Sequence, residues 1–143
     1  MPGGRRSGAS PRLEVNMLPQ YLLQENIARA DGVGPEIELA AYRGKLLVLT
    51  LGINRIIEQE SLQTQIWGSA DGLDWGVKPL ASFPPKSYCG MYSILLNLAS
   101  RPDIRCLRVT WKMNRWAKGD PLPLFGFYVL AEESGARVSA AVA

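Results

Sequence analysis

The segment Gly68-Ser69-Ala70-Asp71-Gly72-Leu73-Asp74-Trp75-Gly76 is rich in turn-forming residues and lies between two apolar segments. Glycine adopts positive φ angles without strain and aspartate tolerates the left-handed region, so the pair Asp71-Gly72 is a strong signal for a hairpin turn. Residues 62–67, just before it, alternate in polarity with the period of a strand. We therefore predict a strand at residues 62–67, a tight turn, and an antiparallel strand at residues 75–83.

Strand patterns separated by turn signals recur along the rest of the chain, roughly every 8 to 15 residues. The clearest pattern covers residues 104–116, where an apolar face alternates with a polar one: Leu107, Val109, Trp111 and Met113 against Arg108, Thr110, Lys112 and Asn114. Residues 46–53 are apolar on both faces, as expected for a strand in the middle of a sandwich.

A helix is predicted only near residues 19–30, with a lead-in loop as the alternative. The apolar residues of this segment share one side of a helix: Leu22, Leu23, Ile27 and Ala30. The whole chain is thus predicted to be all-β, a single antiparallel β-sandwich or jelly roll of about seven to eight strands with flexible termini. We place the sandwich in residues 17–132, a flexible basic arm in residues 1–16 and a flexible tail in residues 133–143.

Composition narrows the class of protein. Hydrophobic residues make up 47% and charged residues 20% of the 143-residue chain, as in soluble globular proteins. No segment approaches the roughly 18–20 apolar residues that span a bilayer, so we predict no transmembrane segment. The apolar residues at 13–23 are interrupted by polar ones and by Pro19, which argues against a secretory signal. A cytoplasmic or virion-associated location is expected.

The chain contains no histidine and two cysteines. The absence of histidine removes Ser-His-Asp and Cys-His catalysis and zinc sites with imidazole ligands. Cys89 and Cys106 lack the spacing of metal or redox motifs, and they are either ordinary buried thiols or one disulfide. We therefore predict that the protein is not an enzyme and holds no cofactor and no metal ion. The remaining enzyme hypothesis needs two loop carboxylates that face each other across a cleft.

Positive charge concentrates on the predicted strand at residues 104–116. We assign Arg105, Arg108, Lys112 and Arg115 to its outward face, with Arg101 and Lys118 at its ends. Such a face can hold phosphate, an acidic glycan or an acidic protein surface, and the competing explanation is a solvated strand face. The net charge of +3 stays below the charge density of a dedicated nucleic-acid-binding protein.

Tryptophans near the predicted strand ends form a second candidate site. Trp111 is in phase with the apolar face of its strand and is expected in the core, whereas Trp67 is out of phase with its apolar neighbours. Trp75 and Trp116 fall at strand ends. Exposed indole rings suit sugar rings, because both have an apolar body and a polar rim. The competing explanation is that these tryptophans cap the core.

The segment Ser69-Ala70-Asp71-Gly72-Leu73-Asp74-Trp75, preceded by Gln65-Ile66-Trp67, resembles the central hairpin of discoidin-type (coagulation factor 5/8 C-terminal-like) domains. Those domains often read as a strand, then Ser-x-Asp-Gly-x-x-Trp, then another strand. Residues 104–109, Ile-Arg-Cys-Leu-Arg-Val, are similar to a later strand of the same family. The resemblance implies a jelly-roll binding module without catalysis, directed at glycans or membrane surfaces. The cysteine pair that often joins the termini of that family has no counterpart here.

The predicted function is that of a non-catalytic recognition module for a carbohydrate or an acidic surface. Its predicted ligand-binding residues are Trp67, Trp75, Trp116, Arg108, Lys112 and Arg115. The alternative is a structural or assembly subunit, such as a virion decoration protein or another oligomer-forming jelly roll. The expected partner is a glycan or acidic surface in the first case and other copies of the chain in the second.

Overall fold

The computed structural model describes residues 20–116 and 122–134. The predicted arm at residues 1–16 and residues 135–143 of the predicted tail lie outside this part of the chain. A short 3-10 helix, Ala40–Tyr42, accompanies nine strands in the described residues. The strands are β1 Gln20–Ala28, β2 Gly32–Val33, β3 Ile37–Glu38, β4 Leu46–Ile56, β5 Glu60–Ser69, β6 Ala81–Ser82, β7 Gly90–Asn97, β8 Cys106–Arg115 and β9 Phe125–Glu133.

The strands form two antiparallel sheets. In the first, which we call sheet I, the strand order is β1-β9-β4-β7. In the second, sheet II, the order is β2-β8-β5-β6, and β3 also pairs with β8. The predicted all-β fold is therefore confirmed as a sandwich, with the strand at residues 46–53 in its interior as β4.

The core lies between the facing sides of the two sheets. Sheet I contributes Leu49 and Phe127, and sheet II contributes Ile66 and Val109, all of them fully buried. The ring of Trp111 meets the ring of Phe127 edge to face, with centroids 5.5 Å apart and an interplanar angle of 76°. This geometry is favourable for aromatic pairs, so the contact joins the two sheets directly.

The predicted helix near residues 19–30 is wrong, because this segment is strand β1. Leu22 and Leu23 are adjacent and both belong to the buried core, whereas successive side chains of a regular strand point to opposite faces of its sheet. The register of β1 against β9 shifts twice, once on each side of Val129. These irregularities turn both leucines inward, and the resulting spacing of apolar residues imitates a helix.

The hairpin at Asp71-Gly72 is longer than predicted. Strand β5 ends at Ser69, and its antiparallel partner β6 pairs only at residues 81 and 82. Residues 70–80 form a connection, which we call the 70–80 loop, so the predicted tight turn and the long return strand at residues 75–83 are wrong. Gly72 does adopt the positive φ angle that the turn signal indicates, 81°.

Hydrogen bonds to side chains, rather than a strand ladder, fix the conformation of the 70–80 loop. The Oδ1 atom of Asp71 accepts hydrogen bonds from the backbone N–H groups of Leu73 at 2.8 Å and Asp74 at 3.0 Å. The Oγ atom of Ser69 accepts one from the N–H of Gly72 at 2.8 Å. Turn-forming polar residues compete with strand pairing by such local bonds, which explains why the β5–β6 ladder extends no further toward the turn than Ile66 and Ala81.

Candidate functional site

A groove of about 470 Å³ lies on the outer face of sheet II. We call it the Trp67 groove. Strand alternation points the even-numbered residues of β8 outward, and the register sets Trp67 opposite Arg108 and Gln65 opposite Thr110. Its lining residues include Trp67, Trp75, Trp111, Arg108, Thr110 and Lys112. Four of the six residues predicted to bind ligand are thus brought together on this face.

The indole ring of Trp67 is held in one orientation. Its Nε1 atom donates a hydrogen bond to the Oγ1 atom of Thr110, at 2.9 Å, across the β5–β8 pair. Trp67 is half-buried, so one part of the ring packs on the sheet while the rest is open to the groove. A ring fixed in this way loses little rotational freedom when a ligand stacks on it.

Trp75 reaches the groove from the 70–80 loop. The guanidinium carbon of Arg108 lies 4.2 Å from the centroid of the Trp75 ring, a cation–π contact. The buried Nε atom of Arg108 has no hydrogen-bond partner among the described residues, so the packing on Trp75 is what holds this part of the side chain. The strand and the loop therefore position each other's functional side chains.

Trp75 also separates the Trp67 groove from a smaller depression of about 220 Å³. That depression is lined by charged side chains of both signs, among them Asp71, Lys78, Arg101 and Asp103. Arg101 and Asp103 form a double hydrogen bond, with both nitrogen–oxygen distances at 3.1 Å. This pairing raises the pKa of Arg101 and lowers the pKa of Asp103, so both groups stay charged and satisfied by each other.

One end of the Trp67 groove is closed by the connection between β1 and β2. Trp111 donates a hydrogen bond from Nε1 to the carbonyl oxygen of Ala30 at 2.9 Å, and Asp31 accepts one from the N–H of Met113 at 2.8 Å. A Cβ atom at Gly32 would lie 2.4 Å from the Trp111 ring, so only glycine fits there. The sequence analysis did not predict this wall, because nothing in the sequence around Gly32 indicates that it packs against Trp111.

Trp116 and Arg115 do not belong to the Trp67 groove. Trp116 is 55% exposed and lines a separate depression of about 410 Å³ together with Tyr88. Arg115 pairs in register with Glu60 at the far end of β8. Because 112 and 115 are three residues apart on one strand, they point to opposite faces of the sheet.

Glu60, one of the carboxylates that the enzyme hypothesis would place in a loop, is instead a fully buried residue of strand β5. Its two oxygens accept hydrogen bonds from the N–H groups of Ile57 and Leu124, each at 3.0 Å. A buried carboxylate needs such partners, and here it joins the β4–β5 turn to the segment that leads into β9. Both oxygens are engaged, so the role of Glu60 is structural.

Two titratable side chains near the site have shifted pKa values. The hydrogen bonds from the N–H groups of Asp74 and Leu73, with a smaller one from the Ser69 hydroxyl, lower the pKa of Asp71. Burial is the largest cause that raises the pKa of Cys106, whose Sγ atom lies 3.5 Å from the Ser69 carbonyl oxygen. Cys89 and Cys106 are both free thiols, so the disulfide alternative is wrong. Cys106 is buried as predicted, whereas the predicted burial of Cys89 is wrong because Cys89 is exposed.

Within residues 20–116 and 122–134, no group of three or more His, Cys, Asp or Glu side chains could hold a metal ion. The same part of the chain contains no helix with the length and apolar character needed to cross a membrane.

Comparison with protein-family models, with curated proteins and with solved structures finds no match to this chain. The discoidin-type resemblance therefore rests on the sequence of the 70–80 loop and its flanking strands. Any function has to be argued from the geometry of the site.

Proposed function

We propose that this protein is a non-catalytic recognition module whose Trp67 groove binds a carbohydrate carrying acidic groups. The observation that carries the proposal is the convergence of two tryptophans, Trp67 and Trp75, with two cations, Arg108 and Lys112, around one groove. Indole rings offer the apolar faces on which sugar rings stack. The guanidinium and ammonium groups offer charged donors for a carboxylate or a sulfate.

Hydrogen-bonding groups at the floor of the groove suit a sugar. Thr110 accepts a hydrogen bond from Trp67, so the hydroxyl proton of Thr110 remains available as a donor. Gln65 lies beside Thr110 in the register and supplies both a donor and an acceptor. Stacking surfaces with a few fixed polar groups are typical of small-molecule sites.

The groove lacks the groups of a glycosidase. Among its lining residues in the described chain, Asp31 is the single carboxylate, and its Oδ1 atom already accepts a hydrogen bond from Met113. Hydrolysis of a glycosidic bond needs two carboxyl groups on either side of the bond. This supports binding without turnover.

The proposal is tested by titrating a sulfated hexasaccharide and a neutral hexasaccharide into the full chain by calorimetry. We expect the sulfated sugar to bind and its affinity to fall as salt is raised, because Lys112 is exposed and Arg108 is partly exposed to solvent. Arg108→Gln and Lys112→Gln should each weaken binding about tenfold. The matched control is Arg55→Gln, which removes the same charge from an exposed position on sheet I and should leave the affinity unchanged.

The design separates binding from folding. Lys112 is exposed, so Lys112→Gln should not alter the melting temperature, whereas Arg108→Gln also removes the contact with Trp75. A sulfated sugar that does not bind, or that binds Lys112→Gln and Arg55→Gln equally well, contradicts the proposal. Release of shorter sugars during the titration would contradict its non-catalytic part.

A further inference from the structure

Apolar side chains make up most of the outer face of sheet I, with polar residues such as Thr50, Ser93, Asn97 and Glu132 among them. Along β4, residues on the inner face such as Leu49 alternate with residues on the outer face such as Val48, which pairs with Leu95 of β7. Met91 and Leu95 of β7 are 72% and 63% exposed. We call the outward apolar patch the sheet I face, and its main residues are Ile27, Val48, Met91, Leu95, Tyr128 and Leu130.

Aromatic rings make the sheet I face continuous across its strands. A Cβ atom at Gly52 would lie 2.2 Å from the ring of Tyr128, so that ring covers the backbone of β4 where a side chain is missing. Tyr21 of β1 meets Tyr128 edge to face at 5.8 Å. The apolar surface therefore extends over all four strands, from β1 at one edge to β7 at the other.

The two outer faces of the sandwich differ in composition. On sheet II the outward residues of β5 and β8 are polar over most of their length: Ser61, Gln63, Gln65, Thr110, Lys112 and Asn114. An antiparallel sheet with one face in water normally shows such polar residues on that face. Sheet II follows this rule, whereas most outward residues of sheet I are apolar, which indicates that the sheet I face is covered in the functional protein.

We propose that a second copy of this chain covers the sheet I face, by packing sheet I against sheet I about a two-fold axis. Four strands spaced about 4.8 Å apart, with about nine residues at about 3.4 Å each, give a face of about 600 Å². Specific interfaces bury about 600–1,000 Å² on each partner. The patch is therefore large enough for a stable dimer of the smaller kind.

The chemistry of the face favours a second copy over a different partner. At its centre, the hydroxyl groups of Thr50 and Ser93 lie 3.3 Å apart and can hydrogen-bond each other. One hydroxyl proton is used in this bond, so burying the pair against an apolar surface costs less than burying two unpaired hydroxyls. A two-fold axis places the same face of each copy against the other, so apolar residues meet apolar residues, and sheets pack face to face within this molecule in the same way.

This dimer does not depend on the proposed ligand. It would leave sheet II of each copy on the outside, with a Trp67 groove on each of two opposite surfaces. A ligand with repeated acidic units could then engage both grooves, and the linked second contact would raise the apparent affinity. The molar mass tests the dimer and the calorimetric titration tests sugar binding, so a failure of either proposal is observed separately.

The test is the molar mass of the full chain, measured by light scattering and sedimentation over a wide range of concentrations. We expect a dimer for the native chain. Val48→Lys and Leu95→Lys should raise the dimer dissociation constant about a hundredfold or more, because each places an ammonium group in an apolar interface. The matched controls Gln63→Lys and Asn114→Lys introduce the same group on the outer face of sheet II and should remain dimeric.

Several outcomes would overturn the proposal. A native chain that is monomeric at all concentrations is one, and a dimer that persists in both Val48→Lys and Leu95→Lys is another. Leu95 is already largely exposed, so Leu95→Lys should fold even if Val48→Lys does not. If a monomeric chain begins to associate only after removal of residues 135–143, that segment, which follows Ser134 beside Leu46, is the cover instead.

Discussion

Two polar side chains of β5 are fully buried on the inner face of sheet II, and they differ in whether their hydrogen bonds are made. Glu60 has both oxygens engaged by backbone N–H groups. Thr64 is also fully buried, but its Oγ1 atom has no hydrogen-bond partner among the described residues. A buried hydroxyl without a partner carries a desolvation cost of about 1–3 kcal/mol.

Thr64→Val should therefore stabilise the protein. Valine has nearly the same shape as threonine and the same preference for strands, so the change removes the unpaired hydroxyl with little repacking. We expect the free energy of unfolding to rise by about 1 kcal/mol, measured by urea denaturation at one protein concentration. Thr110→Val is the control, because the Thr110 hydroxyl accepts a hydrogen bond from Trp67 and its loss should lower stability. A destabilised Thr64→Val variant would show that the hydroxyl has a partner.

At the scale of elements, the 70–80 loop depends on one carboxylate. Asp71 accepts hydrogen bonds from two backbone N–H groups and from the Ser69 hydroxyl, and these bonds lower its pKa. A lowered pKa in the folded state means that the charged form stabilises the fold at neutral pH. That contribution is complete above the pKa of the unfolded chain, about 3.9, and is lost as the pH falls through the lower pKa of the folded state.

Asp71→Asn should consequently melt at a lower temperature than the native protein at neutral pH, and the difference should shrink as the pH falls below about 4. Asparagine keeps the size and one acceptor but cannot titrate. The measurement is a series of thermal melts from neutral pH to about pH 2.5. Glu58→Gln, an exposed carboxylate outside the loop, serves as the control. A difference between Asp71→Asn and the native protein that stays constant with pH would contradict this role.

Alternation of polarity was enough to predict most strands, because one face of each strand is buried in the core. It correctly placed the apolar face of β8 inward and Trp67 on the opposite side of the sheet from the core. It failed at β1, where register shifts bury two adjacent leucines, and such shifts depend on the partner strand β9. It also misjudged the 70–80 loop, since local hydrogen bonds of Asp71 and Ser69 replaced strand pairing.

The alternation of side chains along a strand was enough to predict part of the candidate site. Arg108 and Lys112 are an even number of residues apart on β8, so the sequence alone places them on one face. The strand register places Trp67 opposite Arg108 on the same face. The position of Trp75 could not be deduced, because it depends on the three-dimensional course of the 70–80 loop. Arg115 was predicted to bind ligand because of its charge. It lies three residues from Lys112 on the same strand, so it points to the opposite face of the sheet.

At the scale of the whole molecule, the tryptophans are distributed unevenly between the sheets. All four belong to sheet II or to segments directly joined to it: Trp67, Trp75, Trp111 and Trp116. Tryptophan fluorescence therefore reports on sheet II, whereas far-ultraviolet circular dichroism reports on the strands of both sheets. Comparison of the two signals shows whether the sheets unfold together.

Phe127→Leu tests this cooperativity through sheet I. Phe127 is fully buried on β9 and meets Trp111 of sheet II, so leucine removes the ring pair and leaves space in the core. We expect a loss of about 1–3 kcal/mol in the free energy of unfolding. Because neither sheet can bury its inner face without the other, the urea midpoints by fluorescence and by circular dichroism should fall by the same amount. A fluorescence midpoint that stays at the native value while the circular dichroism midpoint falls would show that sheet II folds on its own.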